Sequence, residues 1–186
     1  MLKDLKQYAK DHVIPIICDD GLLFLKDIIK KHHIKDVLEI GTAIGYSAIF
    51  MAEQGCNVLT FERNDKMVEQ ANKNIKPYDN QIKIIHQDAL LFDQELGDFD
   101  MIFIDAAKAQ YQKFFNKFVP YLKKDGIVVC DNLDFHHLDP SLVNRNTRQL
   151  IRKINEFKVF LEQHHDYETT FFDIGDGMSI TKKVTD

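Results

Sequence analysis

The sequence predicts an α/β protein, with a mostly parallel seven-stranded sheet, helices on both faces and an antiparallel hairpin at its carboxyl end. Three observations carry that prediction. From residue 35 onward, short apolar runs alternate with amphipathic stretches, the pattern of parallel strands linked by helices. Gly41 and Gly45 separate the first such run from the first such stretch, so the chain can turn tightly there and approach a ligand without a Cβ in the way. Past residue 163 the alternation stops, and two strand candidates meet around Gly175-Asp176-Gly177, a hairpin signal.

Taken in order, residues 1–12 place Leu2, Leu5, Tyr8 and Ala9 at helical spacing. Pro15 ends that helix by disfavouring helical backbone at the residue before it. Asp19 or Asp20 then caps a second helix from Gly21 to Lys31, with Leu22, Leu25, Ile28 and Ile29 facing inward. Strands follow at 36–40, 57–62, 82–86, 99–105 and 126–131, with helices at 45–54, 65–75, 108–123 and 144–163. The tail supplies strands at 167–174 and 177–183. All 186 residues read as one domain, long enough to bury roughly 70% of its unfolded surface.

Composition excludes several classes. A hydrophobic content of 45% with 28% charged residues is ordinary for a globular protein. No apolar run approaches the roughly 20 residues of a membrane span, and no signal peptide opens the chain, so the expectation is a cytoplasmic protein away from membranes. Cys18, Cys56 and Cys130 are odd in number and lack disulfide or zinc spacing. The net charge of −5 argues against a wholly basic surface, though not against a local basic patch.

The glycine loop reads Glu39-Ile40-Gly41-Thr42-Ala43-Ile44-Gly45-Tyr46-Ser47. A dinucleotide fingerprint needs a glycine where Ala43 stands, and a P-loop needs Lys where Tyr46 stands. What remains is an acid just ahead of two glycines, which would repel a pyrophosphate and attract an ammonium group. That pattern resembles motif I of the class I S-adenosylmethionine-dependent methyltransferases. In open α/β sheets ligands bind beyond the carboxyl ends of the strands. Glu62 ends the second strand, where a carboxylate can accept from both ribose hydroxyls, and Gln87-Asp88-Ala89 after the third is placed to meet adenine. Asp88 reads equally well as a cap for the following turn. Asp105 ends the fourth strand and Asp131-Asn132 the fifth, three hard oxygen donors suited to Mg²⁺. The histidine pairs lack zinc spacing; His136 and His137 follow the metal candidate and could border a substrate, with Phe135 as a stacking platform.

Together with Phe103-Ile104-Asp105-Ala106-Ala107-Lys108 and Asp131-Asn132, this loop resembles the metal-dependent O-methyltransferases related to catechol and caffeoyl-CoA O-methyltransferases. The resemblance runs from about residue 5 to 183, with 1–31 as an amino-terminal helical segment and 35–183 as the catalytic core. Within that family the chain is most similar to the bacterial branch that methylates 5-hydroxyuridine at the tRNA wobble position. Val13-Ile14-Pro15-Ile16-Ile17, Asn144-Arg145-Asn146-Thr147-Arg148 and Ile174-Gly175-Asp176-Gly177-Met178 carry that likeness. The resemblance implies a Rossmann-like class I methyltransferase fold. It implies that Asp105, Asp131 and Asn132 hold Mg²⁺ or Mn²⁺, and that Ile16, Glu39, Gly41, Gly45, Tyr46, Ser47, Glu62, Asp88, Ala89 and Asp105 form the S-adenosylmethionine site. Asp105 and Lys108 become the catalytic pair, Lys108 as general base only if a nearby charge or burial lowers its pKa. A homodimer joined through the amino-terminal helices is implied too, although this segment is shorter than usual for the family.

The metal motif alone does not choose the acceptor. A cation with two open positions prefers two neighbouring oxygens, which both a catechol and a 5-hydroxyuracil present. Arg145, Arg148 and Arg152 recur at helical spacing on one face, suited to the phosphates of an anticodon loop or to a solvated face balanced by Glu156. The family resemblance, rather than charge, makes tRNA the leading expectation; the alternatives are a small catechol or phenol, and a binding module that keeps the cofactor fold without catalysis.

Overall fold

Runs such as Val37-Leu38-Glu39-Ile40 and Met101-Ile102-Phe103-Ile104 are apolar at nearly every position, as strands covered on both faces must be. In the computed structural model, which describes residues 1–134 and 142–184, they form the centre of one seven-stranded sheet. The strands are β1 (Asp36–Ile40), β2 (Asn57–Glu62), β3 (Ile82–His86), β4 (Phe99–Ile104), β5 (Leu122–Cys130), β6 (Tyr167–Phe172) and β7 (Met178–Lys183). Their order is β3-β2-β1-β4-β5-β7-β6. The pairs from β3 to β5 are parallel, while β7 runs antiparallel to both β5 and β6. This is the Rossmann-like doubly wound sheet, finished by an antiparallel pair, that the resemblance implies.

The helices are α1 (Leu2–Asp11), α2 (Asp19–Lys31), α3 (Tyr46–Glu53), α4 (Asp65–Asn74), α5 (Tyr111–Phe118) and α6 (Arg145–Glu162). Side chains alternate across the sheet. Val37, Met101, Phe103, Ile127 and Val129 pack in one core with Leu5 and Ala9 of α1, Leu25 and Ile28 of α2, and Ala48 and Ile49 of α3. Leu38, Ile40, Ile102, Ile104 and Val128 face the other way, onto Phe114, Phe115 and Phe118 of α5 and Ile154, Phe157 and Leu161 of α6. Among the described residues no helix is long and apolar enough to cross a membrane.

Three expectations are corrected. The stretch 108–123, expected as one helix, is a 3₁₀ turn at Lys108–Gln110, then α5, then a second 3₁₀ turn at Val119–Tyr121 around Pro120. β5 begins at Leu122 rather than at residue 126. Leu122 pairs with Phe99, and the Lys123 ammonium lies 2.8 Å from Asp36 and 2.9 Å from Asp100, so tertiary partners draw these residues into the sheet. α2 likewise starts earlier, at Asp19, with Cys18 as its cap: the Sγ accepts from the Gly21 N–H at 3.4 Å.

Candidate active site

The chain leaves β1 toward β2 on one side and returns through β4 on the other, so a crevice opens beyond the carboxyl end of β1. A cavity of about 390 Å³ occupies it. Pro15, Ile16 and Ile17 cover it from the amino-terminal segment, and the ends of all five parallel strands or their following loops line it or stand just behind it.

On one side lies the glycine loop. Gly41 adopts φ +110°, and a Cβ there would stand 2.0 Å from the Asp105 carbonyl oxygen. The Glu39 carboxylate is fully buried; it accepts from the Ser47 Oγ and the Thr60 Oγ1, each at 2.6 Å. Burial, with the Glu62 carboxylate nearby, pushes its pKa up to about 7 against the pull of those two hydroxyls. Glu62 Oε2 accepts from the Ala43 N–H, and Oε1 accepts from the Arg63 and Asn64 N–H groups, all at 2.9 Å. The carboxylate thus ties the glycine loop to the start of α4. Asp88 accepts from the Leu90 N–H at 2.9 Å, so its turn-capping role is realised, and it meets the Arg63 guanidinium at 3.0 Å while also lining the cavity.

On the other side the sheet ladders place the acids. The Asp105 N–H donates to the Ile40 carbonyl at 3.0 Å and the Asp131 N–H to the Ile104 carbonyl at 3.1 Å, so each acid stands one step past its neighbour strand's end. Asn132, held at φ +63°, donates its Nδ2 to Asp105 Oδ1 at 2.8 Å. Asp131 Oδ1 accepts from the Asn132 N–H at 2.7 Å, and the buried Tyr111 hydroxyl donates to the Asp131 carbonyl at 2.9 Å. Burial raises the pKa of both acids; for Asp105 the Glu39 charge adds to this, and for Asp131 the Asp105 charge. The Lys108 ammonium, at the start of the 3₁₀ turn, opposes the rise in both.

Two crowded carboxylates beside an amide make the oxygen-donor set of a hard dication, whose charge would relieve their repulsion. Among the described residues no three His, Cys, Asp or Glu side chains converge into a metal cage. The set here would need the Asn132 amide beside the two acids, an all-oxygen donor set of the kind Mg²⁺ takes.

A family model described as O-methyltransferase matches residues 1–184. The chain belongs to the O-methyltransferase family. Membership brings the reaction class, methyl transfer from S-adenosylmethionine to an oxygen. A crystal structure of a candidate caffeoyl-CoA O-methyltransferase from Staphylococcus aureus is 37% identical, superposes with a TM-score of 0.90, and the match covers 98% of this chain and 92% of that one. A catechol O-methyltransferase from Niastella koreensis is 32% identical over 120 residues, 59% of this chain and 54% of that relative. An O-methyltransferase from Bacillus cereus, crystallised with S-adenosylhomocysteine, shares the fold at 21% identity with a TM-score of 0.83, over 98% of this chain and 90% of that one.

In this O-methyltransferase Ile16, Gly41, Tyr46, Ser47, Glu62, Asp88, Ala89, Asp105, Lys108 and Asn132 line this cavity together. Glu39, Gly45 and Asp131 stand behind the lining: Glu39 bonds through Ser47, Gly45 shapes the loop at φ +84°, and Asp131 is buried. Arg145, Arg148 and Arg152 lie on α6, away from the lining, though α6 packs against the Lys108–Gln110 turn. Phe135, His136 and His137 fall outside the described residues. Sequence reasoning missed Arg63, Gln110 and Asp176 as lining residues. Asp176 had a readable signal, an acid between two glycines, which reads first as a hairpin turn.

Proposed function

We propose that this O-methyltransferase works with a bound divalent cation, Mg²⁺ or Mn²⁺, and methylates the 5-hydroxyl of 5-hydroxyuridine at the tRNA wobble position. The observation that carries the metal-dependent part is the convergence of Asp105, Asp131 and Asn132 at one corner of the cavity. When bound, the cation supplies positive charge that lowers the pKa of the accepting hydroxyl. The chain's own residues do the rest. Asp105, Asp131 and Asn132 hold that charge beside the acceptor, and Lys108 balances the two acids from the cavity side. The glycine loop, Glu62 and Asp88 hold the donor, and Pro15, Ile16 and Ile17 exclude water from it. In the transfer an O–CH₃ bond forms as the S⁺–CH₃ bond breaks, and the sulfur leaves as a neutral thioether. The hydroxyl proton passes to solvent, with Lys108 as charge partner in its ammonium form and as acceptor only in its neutral amine form.

The choice of tRNA follows the resemblance of the sequence, and α6 supports it. Arg145 and Arg148 occupy the positive end of an 18-residue helix that has no acid in its first turn. Cations there oppose the helix dipole, a placement that costs the helix a few tenths of a kcal/mol and suits a phosphate partner. A second reading, a small catechol or phenol, is favoured by the names of the catechol and caffeoyl-CoA relatives. The protein as proposed acts in the cytoplasm as a homodimer through its amino-terminal helices, a contact supported by the exposed Val13 and Leu23 there.

The test is methyl transfer to a 5-hydroxyuridine anticodon stem-loop and to catechol, with Mg²⁺ and with chelator, alongside mass spectrometry of tRNA nucleosides from a deletion strain. The expected result is Mg²⁺-dependent turnover of the stem-loop and loss of 5-methoxyuridine in the strain. Turnover of catechol alone, with tRNA nucleosides unchanged, selects the second reading.

A further inference from the structure

Asp176 stands at the tip of the β6–β7 hairpin, on a turn held from both sides. Gly175 and Gly177 flank it at φ +57° and +81°. The Leu133 N–H donates to the Gly177 carbonyl at 2.9 Å and the Asp134 N–H to the Asp176 carbonyl at 2.7 Å, which fixes the turn to the residues just after Asn132. A Cβ on Gly177 would meet Asp134 at 2.7 Å, and one on Gly175 would meet the Cys18 Sγ at 2.5 Å, so the turn has no slack on either side. Asp176 lines the cavity, and its carboxylate charge reaches both Asp105 and Asp131. Among the described residues its carboxylate has no hydrogen-bond or ion-pair partner. A third negative charge beside two acids is unfavourable, and nothing in the fold of the turn requires it, because the bonds that hold the turn are made by backbone.

The other nearby carboxylates are committed. Asp105 carries the Asn132 amide, Asp131 is buried behind the lining, and Glu62 and Asp88 bind backbone N–H groups on the far side of the cavity. Asp176 is therefore the acidic acceptor on the rim beside the metal corner. A 5-hydroxyuracil whose O5 and O4 face that corner presents a third group on the same ring edge, the N3–H next to O4. In a catechol the corresponding ring position is a C–H, which offers a carboxylate nothing.

We infer that Asp176 is a specificity-determining residue: its carboxylate accepts the N3–H of the uracil ring and so favours a 5-hydroxyuracil over a catechol. This rests on the tRNA reading above and deepens it. A hydrogen bond to a charged acceptor, lost on truncation, corresponds to about a 10- to 100-fold change in rate.

The test uses the full-length protein at saturating Mg²⁺, comparing wild type, Asp176→Ala and Asp176→Asn on three acceptors: the 5-hydroxyuridine stem-loop, the same stem-loop with N3 methylated, and catechol. The expected result for Asp176→Ala is about a 10- to 100-fold loss of kcat/KM on 5-hydroxyuridine, carried mainly by KM, with catechol turnover changed less than about threefold. Asp176→Asn, which keeps a neutral acceptor, should fall between the two. The N3-methylated stem-loop should be poor for wild type and no worse for Asp176→Ala. Equal losses on 5-hydroxyuridine and catechol, or no loss on either, overturn the assignment while leaving the tRNA reading in place. Wild-type turnover of catechol alone overturns the tRNA reading itself, and this assignment with it.

Discussion

Gly41 joins the two halves of the cavity at a single atom. Its missing Cβ admits the Asp105 carbonyl oxygen, so the end of β1 and the end of β4 come together there. From sequence, the glycine reads as room for a ligand; in the structure the close neighbour is the backbone of a metal-site residue, a tertiary fact that no local pattern carries. Gly41→Ala should therefore disturb both halves. A clash with backbone plus φ +110° predicts a loss of roughly 3 kcal/mol or more, measurable by urea denaturation, together with loss of methyl transfer. Glu39 sets a different expectation. Its acidity in the loop is legible, but its partner Ser47 lies across the turn and Thr60 on another strand, so its burial is not. With a folded pKa of about 7 against an ordinary 4.5, the folded state binds more protons than the unfolded state between those values. Stability from this group is thus level below about pH 4.5, falls as pH rises toward 7, and levels again above it. Glu39→Gln removes the titration. At pH 8 it should recover up to about 3 kcal/mol of that fall, at 1.36 kcal/mol per pKa unit, and flatten the dependence of Tm on pH. A Tm profile unchanged between pH 5 and 8 would mean that Glu39 is not the group responsible.

Among the elements, the amphipathic helices and the buried strands were readable because their periods are strong, and the break between Tyr111 and Leu122 was not. Phe114, Phe115 and Phe118 keep helical spacing, yet Lys123 is drawn into the sheet by Asp36 and Asp100, whose positions depend on strand order. The placement of Arg145 at the start of α6 leads to an expectation with opposite signs for stability and function. Arg145→Glu puts an acid at the positive end of the helix and should leave the protein equally stable or more stable, by about 0.3–1 kcal/mol at low salt. The same change should weaken turnover of the tRNA stem-loop and reduce the salt dependence of its binding by about one phosphate contact, while catechol turnover stays as it was. Titrations of binding against salt at fixed temperature read both effects. A stability gain with tRNA turnover intact would leave the arginine face as a solvated surface.

At the scale of the whole molecule, the sheet order assembles a cavity that draws on segments far apart in sequence: the amino-terminal cover, the rims of β1 to β3, and the corner built by β4, β5 and the β6–β7 turn. The parallel part was legible because each strand end carries a polar residue; the cover was legible only through the resemblance, which put Ile16 in the donor site, since the residues Val13 to Ile17 by themselves show only a break in helix. Its position depends on α1, which joins the core through Leu5 and Ala9 and is tied to α2 by the exposed Lys6–Asp19 ion pair. Of these anchors burial outweighs charge, because an exposed pair contributes at most about 1 kcal/mol whereas truncating a buried leucine costs about 2–5 kcal/mol. Leu5→Ala should therefore loosen α1 and the chain after it, and Lys6→Ala should do little. Because Ile16 and Ile17 line the cavity while Asp105 and Asp131 are positioned by hydrogen bonds along the sheet, the loosening should raise the Kd for S-adenosylhomocysteine several-fold. The response of Tm to Mg²⁺ should be unaffected. Calorimetric titration of S-adenosylhomocysteine into Leu5→Ala, Lys6→Ala and wild type, paired with Tm measured with and without Mg²⁺, separates the two halves. Equal weakening of donor and metal responses would show that α1 supports the sheet as a whole and not the cover alone.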